Sequence, residues 1–184
     1  ASDVYKRQLV LMVPALYAPR PASQPAVSIP PGLDVIARAL LRSDPLFWLG
    51  TKIATRTMIR AVLGTPPELL DAADATERAR IMSLLSHILP VSARADGLLN
   101  DAAVLAGIAR YDLERVGAPT LLLSQRDDLY GTHEIARYTS TQIPGARFVD
   151  YPTGGHLGVG RQTAIQTEIA AFLRQAETPQ PRGD

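Results

Sequence analysis

Residues 119–160 read PTLLLSQRDDLYGTHEIARYTSTQIPGARFVDYPTGGHLGVG. The run from Thr120 to Ser124 is short, continuous and apolar, which suits a strand buried on both faces. Two carboxylates, Asp127 and Asp128, follow it. A helix is predicted from Thr132 to Ile143, where Pro144-Gly145 stops it. A second strand, Arg147 to Tyr151, leads into the loop Pro152-Thr153-Gly154-Gly155, which presents His156. An acid after one strand and a histidine after the next lie on one edge of a parallel sheet. In open α/β sheets that edge is where ligands bind.

This order resembles the C-terminal half of the α/β-hydrolase fold, whose triad runs nucleophile, acid, histidine along the chain. The resemblance makes Asp128 the acid and His156 the histidine. Family members often read G-x-D-D or A-x-D-D at the acid turn, with the second carboxylate in the triad. Aligning Gln125 with that small residue selects Asp128 and leaves Asp127 more exposed; Gln125 itself departs from the pattern.

Such a pair has a defined chemistry. A histidine base takes a proton from a nucleophile or from water. A buried carboxylate on its other nitrogen fixes the tautomer and stabilises the imidazolium. Histidine suits the task because its unperturbed pKa, about 6.5, lies near working pH. The family's nucleophile sits in G-x-S-x-G, and no serine of this chain stands in that pattern. The H-G type oxyanion loop is missing too.

Composition sets the outer bounds. At 184 residues one domain is the default, and a core can be buried. A net charge of +1 gives no field for nucleic acid or anionic lipid. The absence of cysteine excludes disulfides and thiol chemistry, and three scattered histidines argue against a histidine-rich metal site. No apolar run reaches the roughly 18 residues of a membrane span. The expected partner is a small-molecule substrate, with no metal or organic cofactor, nucleic acid or membrane. A cytoplasmic location is the expectation.

Outward from the central stretch, Leu9 to Val13 forms another short apolar run, a candidate sheet strand. Residues 1–8, ASDVYKRQ, resemble an in-frame translation of a sequencing-library adapter. They are expected to be a non-native scar, with the nucleophile and oxyanion loop encoded upstream of Leu9. Residues 9–32 supply this strand and a Pro-rich loop of the hydrolase core.

From residue 33 to 110 the pattern is helical. Leu33, Ile36, Ala37, Leu40 and Leu41 share one face. Asp44 is a candidate cap with Pro45 at the first helical position. Thr65-Pro-Pro-Glu68 reads as a capping box, and Asp74 to Glu77 offers the same device. Ile81, Leu84, Leu85 and Ile88 stripe one helix; Leu98, Ala102, Leu105 and Ile108 stripe the last. On the hydrolase resemblance this insertion is a cap over the sheet edge, shaping the pocket and excluding water. Phe47, Trp48, Leu49 and Met58 are candidate pocket residues, although apolar residues on helices are more often core. In the segment from Pro90 to Asp101, Gly97 permits a turn, Asn100 or Asp101 caps a helix, and Arg94 pins the cap to the body. His87 and an exposed His133 receive no role, and Arg56 and Arg60 share a solvated face.

Residues 111–176 return to the core, ending in a helix with Ile165, Ile169, Phe172 and Leu173 on one face. Residues 177–184 read as a frayed tail. The fold class expected is therefore α/β: a partial hydrolase sheet of about three parallel strands with flanking helices, plus an inserted all-helical cap. The function expected is a fragment of a hydrolase for an ester, lactone or activated C–C bond. The alternatives are a non-catalytic binding protein on the same fold and a dehalogenase-like enzyme with an aspartate nucleophile.

Overall fold

The computed structural model describes residues 8–19 and 33–175. The expected tail, residues 1–7 of the expected scar and much of the Pro-rich loop lie outside them. Gln8 is described, and its amide donates to the carbonyls of Phe172 (2.8 Å) and Leu173 (3.3 Å).

Three parallel strands form one sheet in the order β1 (Leu9–Met12), β2 (Thr120–Gln125), β3 (Arg147–Tyr151). Leu9 stands opposite Thr120, and Leu121 opposite Arg147. The central strand β2 is buried along its whole length, as its unbroken apolar run requires. Its three leucines each contribute about 2 kcal/mol by burial. Strand β1 differs from expectation. It is only half covered, and Met12 is 46% exposed, because among the described strands it pairs with β2 alone. The chain leaves β1 through Val13 at φ 41°, a costly conformation for a β-branched residue, and the Val13 N–H donates to Leu123.

Among the described residues two helices flank the sheet. Leu121 and Leu123 pack against Ile165 and Phe172 of α8 (Gln162–Gln175). On the opposite side of the pleat, Ser124 meets Thr132 at the start of α7 (Thr132–Gln142). Alternation along β2 thus assigns one helix to each face. Helix α7 stops at Ile143, and Gly145 takes the left-handed turn (φ 70°) into β3.

Between β1 and β2 lie α1 (Leu33–Leu41), α2 (Asp44–Ile53), α3 (Thr55–Val62), α4 (Glu68–Ala72), α5 (Ala75–Ser86) and α6 (Ala95–Ala106). Phe47, Met58, Ile59, Leu63, Leu70, Ile81, Leu85 and Val91 form their core. Phe47 and Met58 are therefore packing residues, whereas Trp48 and Leu49 face solvent. Val159 of the histidine loop completes this core, and Leu157 packs on it.

Several local expectations lose to tertiary partners. Ser43, not Asp44, caps α2, because Asp44 accepts both the N–H and the hydroxyl of Ser92. Those bonds hold the Asp44 carboxyl below its ordinary pKa. The capping box at Thr65 does not form. Thr65 is fully buried and donates to the Leu63 carbonyl, while Glu68 pairs with Arg56. Asp74 does cap α5, accepting from Glu77 N–H at 2.7 Å. Gly97, Asn100 and Asp101 lie inside α6 rather than at turns or caps. Arg94 binds the carbonyls of His87, Ile88 and Pro90, so it closes the end of α5 and does not reach the body. The stripes of α1 and α6 remain partly uncovered, with Ile36, Leu98 and Leu105 exposed.

Candidate active site

The C-terminal ends of β2 and β3 bring the acid and the histidine together. Nδ1 of His156 lies 2.9 Å from Oδ2 of Asp128. The Asp128 side chain is fully buried, and that of His156 is 26% exposed. An ionised carboxylate is only an acceptor, so Nδ1 carries a proton towards it, and in the neutral ring Nε2 then has the lone pair. That is the protonation a general base needs.

Asp128 is held by two further donors. Its Oδ1 accepts the Tyr130 N–H at 2.8 Å, closing a turn local to the sequence D-L-Y. Its Oδ2 also accepts the Thr132 hydroxyl, and Ser124 Oγ lies 3.3 Å behind that hydroxyl. Because Thr132 donates to the carboxylate, Ser124 donates to Thr132. The buried charge is thereby satisfied by hydrogen bonds, as burial demands.

Asp127 is more exposed than Asp128 and does a different job. Its two oxygens accept the N–H groups of Gly154 (3.2 Å) and Gly155 (2.8 Å). The second carboxylate thus orients the histidine, while the first fixes the loop that carries it. Gln125 lies buried beneath that loop. A Cβ on Gly154 would stand 3.0 Å from its Cγ, so the small residues before His156 are needed for this contact.

The helices between β1 and β2, where the cap was expected, are stitched to this pair. The Gly64 carbonyl accepts the N–H groups of both Leu129 (3.0 Å) and His156 (3.3 Å). Gly155 sits against Thr65 and Pro66 at φ 58°, where any side chain would collide. Farther along the loop, Arg80 donates to the Leu157 carbonyl, and Glu77 accepts the Gly160 N–H. The Arg80 guanidinium, and secondarily that N–H, lower the Glu77 pKa. Tyr130 stands edge-on to His156, ring centroids 4.8 Å apart. Its hydroxyl donates to Val62 in the cap at 2.8 Å. Partial desolvation, then the Asp128 charge, raise the tyrosine pKa, so the phenol stays a neutral donor.

His133, expected to be exposed, is largely covered. It packs 5.7 Å from Phe148 and lies 3.5 Å from Asp150, which Arg126 already engages. His87 is exposed and bonded to Ser83, away from the site. Two cavities of about 440 Å³ lie in the cap, one beside Arg56 and Arg78, the other beside Trp48 and Pro90. Neither is lined by Asp128 or His156. In the first, Arg56 pairs with Asp71 and Glu68, and Arg78 with the Leu70 and Ala73 carbonyls. The Asp128–His156 pair lies apart from both, at the sheet edge. Among the described residues no cluster of His, Asp and Glu has the arrangement to hold a metal, and no helix is long and apolar enough to cross a membrane.

Residues 108–184 match the family model of TAP-like proteins. The structure is similar to Rv0554 from Mycobacterium tuberculosis, with a TM-score of 0.50 and 15% identity, over 92% of this chain and 57% of that one. It is likewise similar to an alpha/beta hydrolase fold protein from Nakamurella multipartita, with a TM-score of 0.51 and 18% identity, over 91% of this chain and 61% of that one. The chain is an α/β-hydrolase-fold protein. At these identities the likeness to solved structures is one of fold alone. The chain spans less than two thirds of either neighbour's length. Among curated proteins none matches.

The family resemblance in the sequence points to Asp128 and His156 but does not point to Gly64, Tyr130 or Thr132. The D-x-Y-G-T run after the acid was the only available signal for the last two.

Proposed function

We propose that this chain supplies the acid, the base and the cap of a hydrolase that attacks an ester, a lactone or an activated C–C bond through a serine outside these 184 residues. The observation that carries the reading is the 2.9 Å contact between a buried Asp128 carboxylate and Nδ1 of a part-exposed His156. Nε2 of His156 takes the serine proton as the hydroxyl oxygen adds to the carbonyl carbon. Asp128 stabilises the imidazolium that results. The proton then goes to the leaving group as its bond to the acyl carbon breaks. A water, deprotonated by the same nitrogen, hydrolyses the acyl-serine and restores the site. The helices between residues 33 and 110 select the substrate, so substitutions on their inner side change preference more than basal chemistry.

The 184 residues by themselves should not turn over an ester, because nucleophile, base and oxyanion donors must meet at one carbonyl. Extended with its own upstream coding sequence, the protein should contain G-x-S-x-G. A fluorophosphonate probe should label that serine, and His156→Ala should prevent labelling. An upstream region without the motif, or labelling that ignores His156→Ala in a folded protein, contradicts the reading.

A further inference from the structure

We propose that Tyr130 is a positioning residue for His156, a strut that ties the orientation of the base to the α3–α4 turn of the cap. The inference rests on the reading of Asp128 and His156 above and names a part the triad chemistry does not itself require.

A hydrogen bond at Nδ1 fixes one point of the imidazole ring and leaves the ring free to tilt about that contact. Something must press on its face to keep Nε2 directed at a nucleophile. Tyr130 is the aromatic neighbour in place, 4.8 Å away at an interplanar angle of 73°, the edge-to-face geometry that aromatic rings favour. Tyr130 is fixed at both ends. Its N–H donates to Oδ1 of Asp128 at 2.8 Å, and its hydroxyl donates to the Val62 carbonyl at 2.8 Å. One residue thus touches acid, base and cap. The cap is shaped to receive it, since a Cβ on Gly64 would stand 2.7 Å from the Tyr130 ring. Gly64 in turn accepts the His156 N–H, so ring and backbone of the histidine are both referred to the same cap turn.

The test uses the chain as it stands, with labelled histidine, and reads the His156 Nδ1 proton by NMR. His87 and His133 serve as internal controls. Tyr130→Leu removes the ring; Tyr130→Phe keeps it and removes only the hydroxyl's bonds to the Val62 (2.8 Å) and Ala61 (3.4 Å) carbonyls. Solvent exchange of the Nδ1 proton should quicken by about fivefold in Tyr130→Leu, the scale of one aromatic pair. It should quicken by a smaller factor, about twofold, in Tyr130→Phe. The control histidines should not move. If Tyr130→Leu fails to fold, Tyr130→Phe decides alone. Wild-type exchange in every folded variant overturns the proposal. Asp128→Asn separates the two readings: if it leaves the Nδ1 proton unaltered, the acid–histidine assignment has failed, not the strut.

Discussion

The carbonyl oxygen of Gly64 in the cap accepts the backbone N–H of His156 at 3.3 Å. A helical insertion described only as a cover would have no reason to make this bond. With Leu157 and Val159 seated in the cap core, the α3–α5 half of the cap is part of the histidine's support.

Two glycines at this junction should resist substitution. Gly64 and Gly155 have φ of 55° and 58°, and an added Cβ would lie 2.7 Å from the Tyr130 ring and from Thr65, respectively. Gly64→Ala and Gly155→Ala should each cost about 1–3 kcal/mol. Gly97 lies within α6 with nothing near its missing side chain. Gly97→Ala should therefore stabilise by about 0.5–1 kcal/mol. Urea unfolding of the three variants checks both signs.

The two carboxylates should separate cleanly. In the N-terminally extended enzyme, Asp128→Asn should lower kcat by roughly 10⁴, the scale of a wrong histidine tautomer. Asp127→Asn should loosen the loop at Gly154 and Gly155 and cost about 1–2 kcal/mol of stability, with a much smaller loss of rate. A larger kcat loss in Asp127→Asn would shift the acid by one position.

Glu77 should make the clamp on the histidine loop acid-sensitive. Its pKa is lowered in the folded protein, so folding favours the ionised form. The unfolded chain then binds the proton more readily, and the stabilisation is present above the ordinary glutamate pKa, about 4.3, and fades as pH falls through the lower folded value. Glu77→Gln should cost about 1–2 kcal/mol at pH 7. The gap to wild type should close in acid. A gap independent of pH would show that the charge on Glu77 does not contribute.

The edge strand should govern solubility. β1 is paired with β2 alone among the described strands, and Met12 is 46% exposed. An uncovered apolar edge invites association. The 184-residue chain should scatter light increasingly with concentration, and Met12→Lys should reduce the scattering. Equal scattering from both would remove β1 as the cause.

The legible parts of this molecule are those fixed by neighbours in sequence. Three consecutive leucines bounded by Pro119 and a polar turn have no better fate than a buried strand, and Pro144-Gly145 leaves α7 no way to continue. The order of acid and histidine follows from the same local signals. What could not be read depends on distant partners. Asp44 is a plausible cap until Ser92 arrives, and Thr65 a plausible box until Gly155 packs on it. A helical stripe tells which side of α6 is apolar but not whether anything covers it. Nothing near Tyr130 in sequence announces that its hydroxyl will meet Val62.

The most direct measurement of the central claim is steady-state hydrolysis of an activated ester by the protein extended with its own upstream sequence, compared with the same protein carrying His156→Ala. Turnover is expected, and His156→Ala should lower it by at least about 10³ with folding unchanged by circular dichroism. Equal turnover from the two proteins would contradict it.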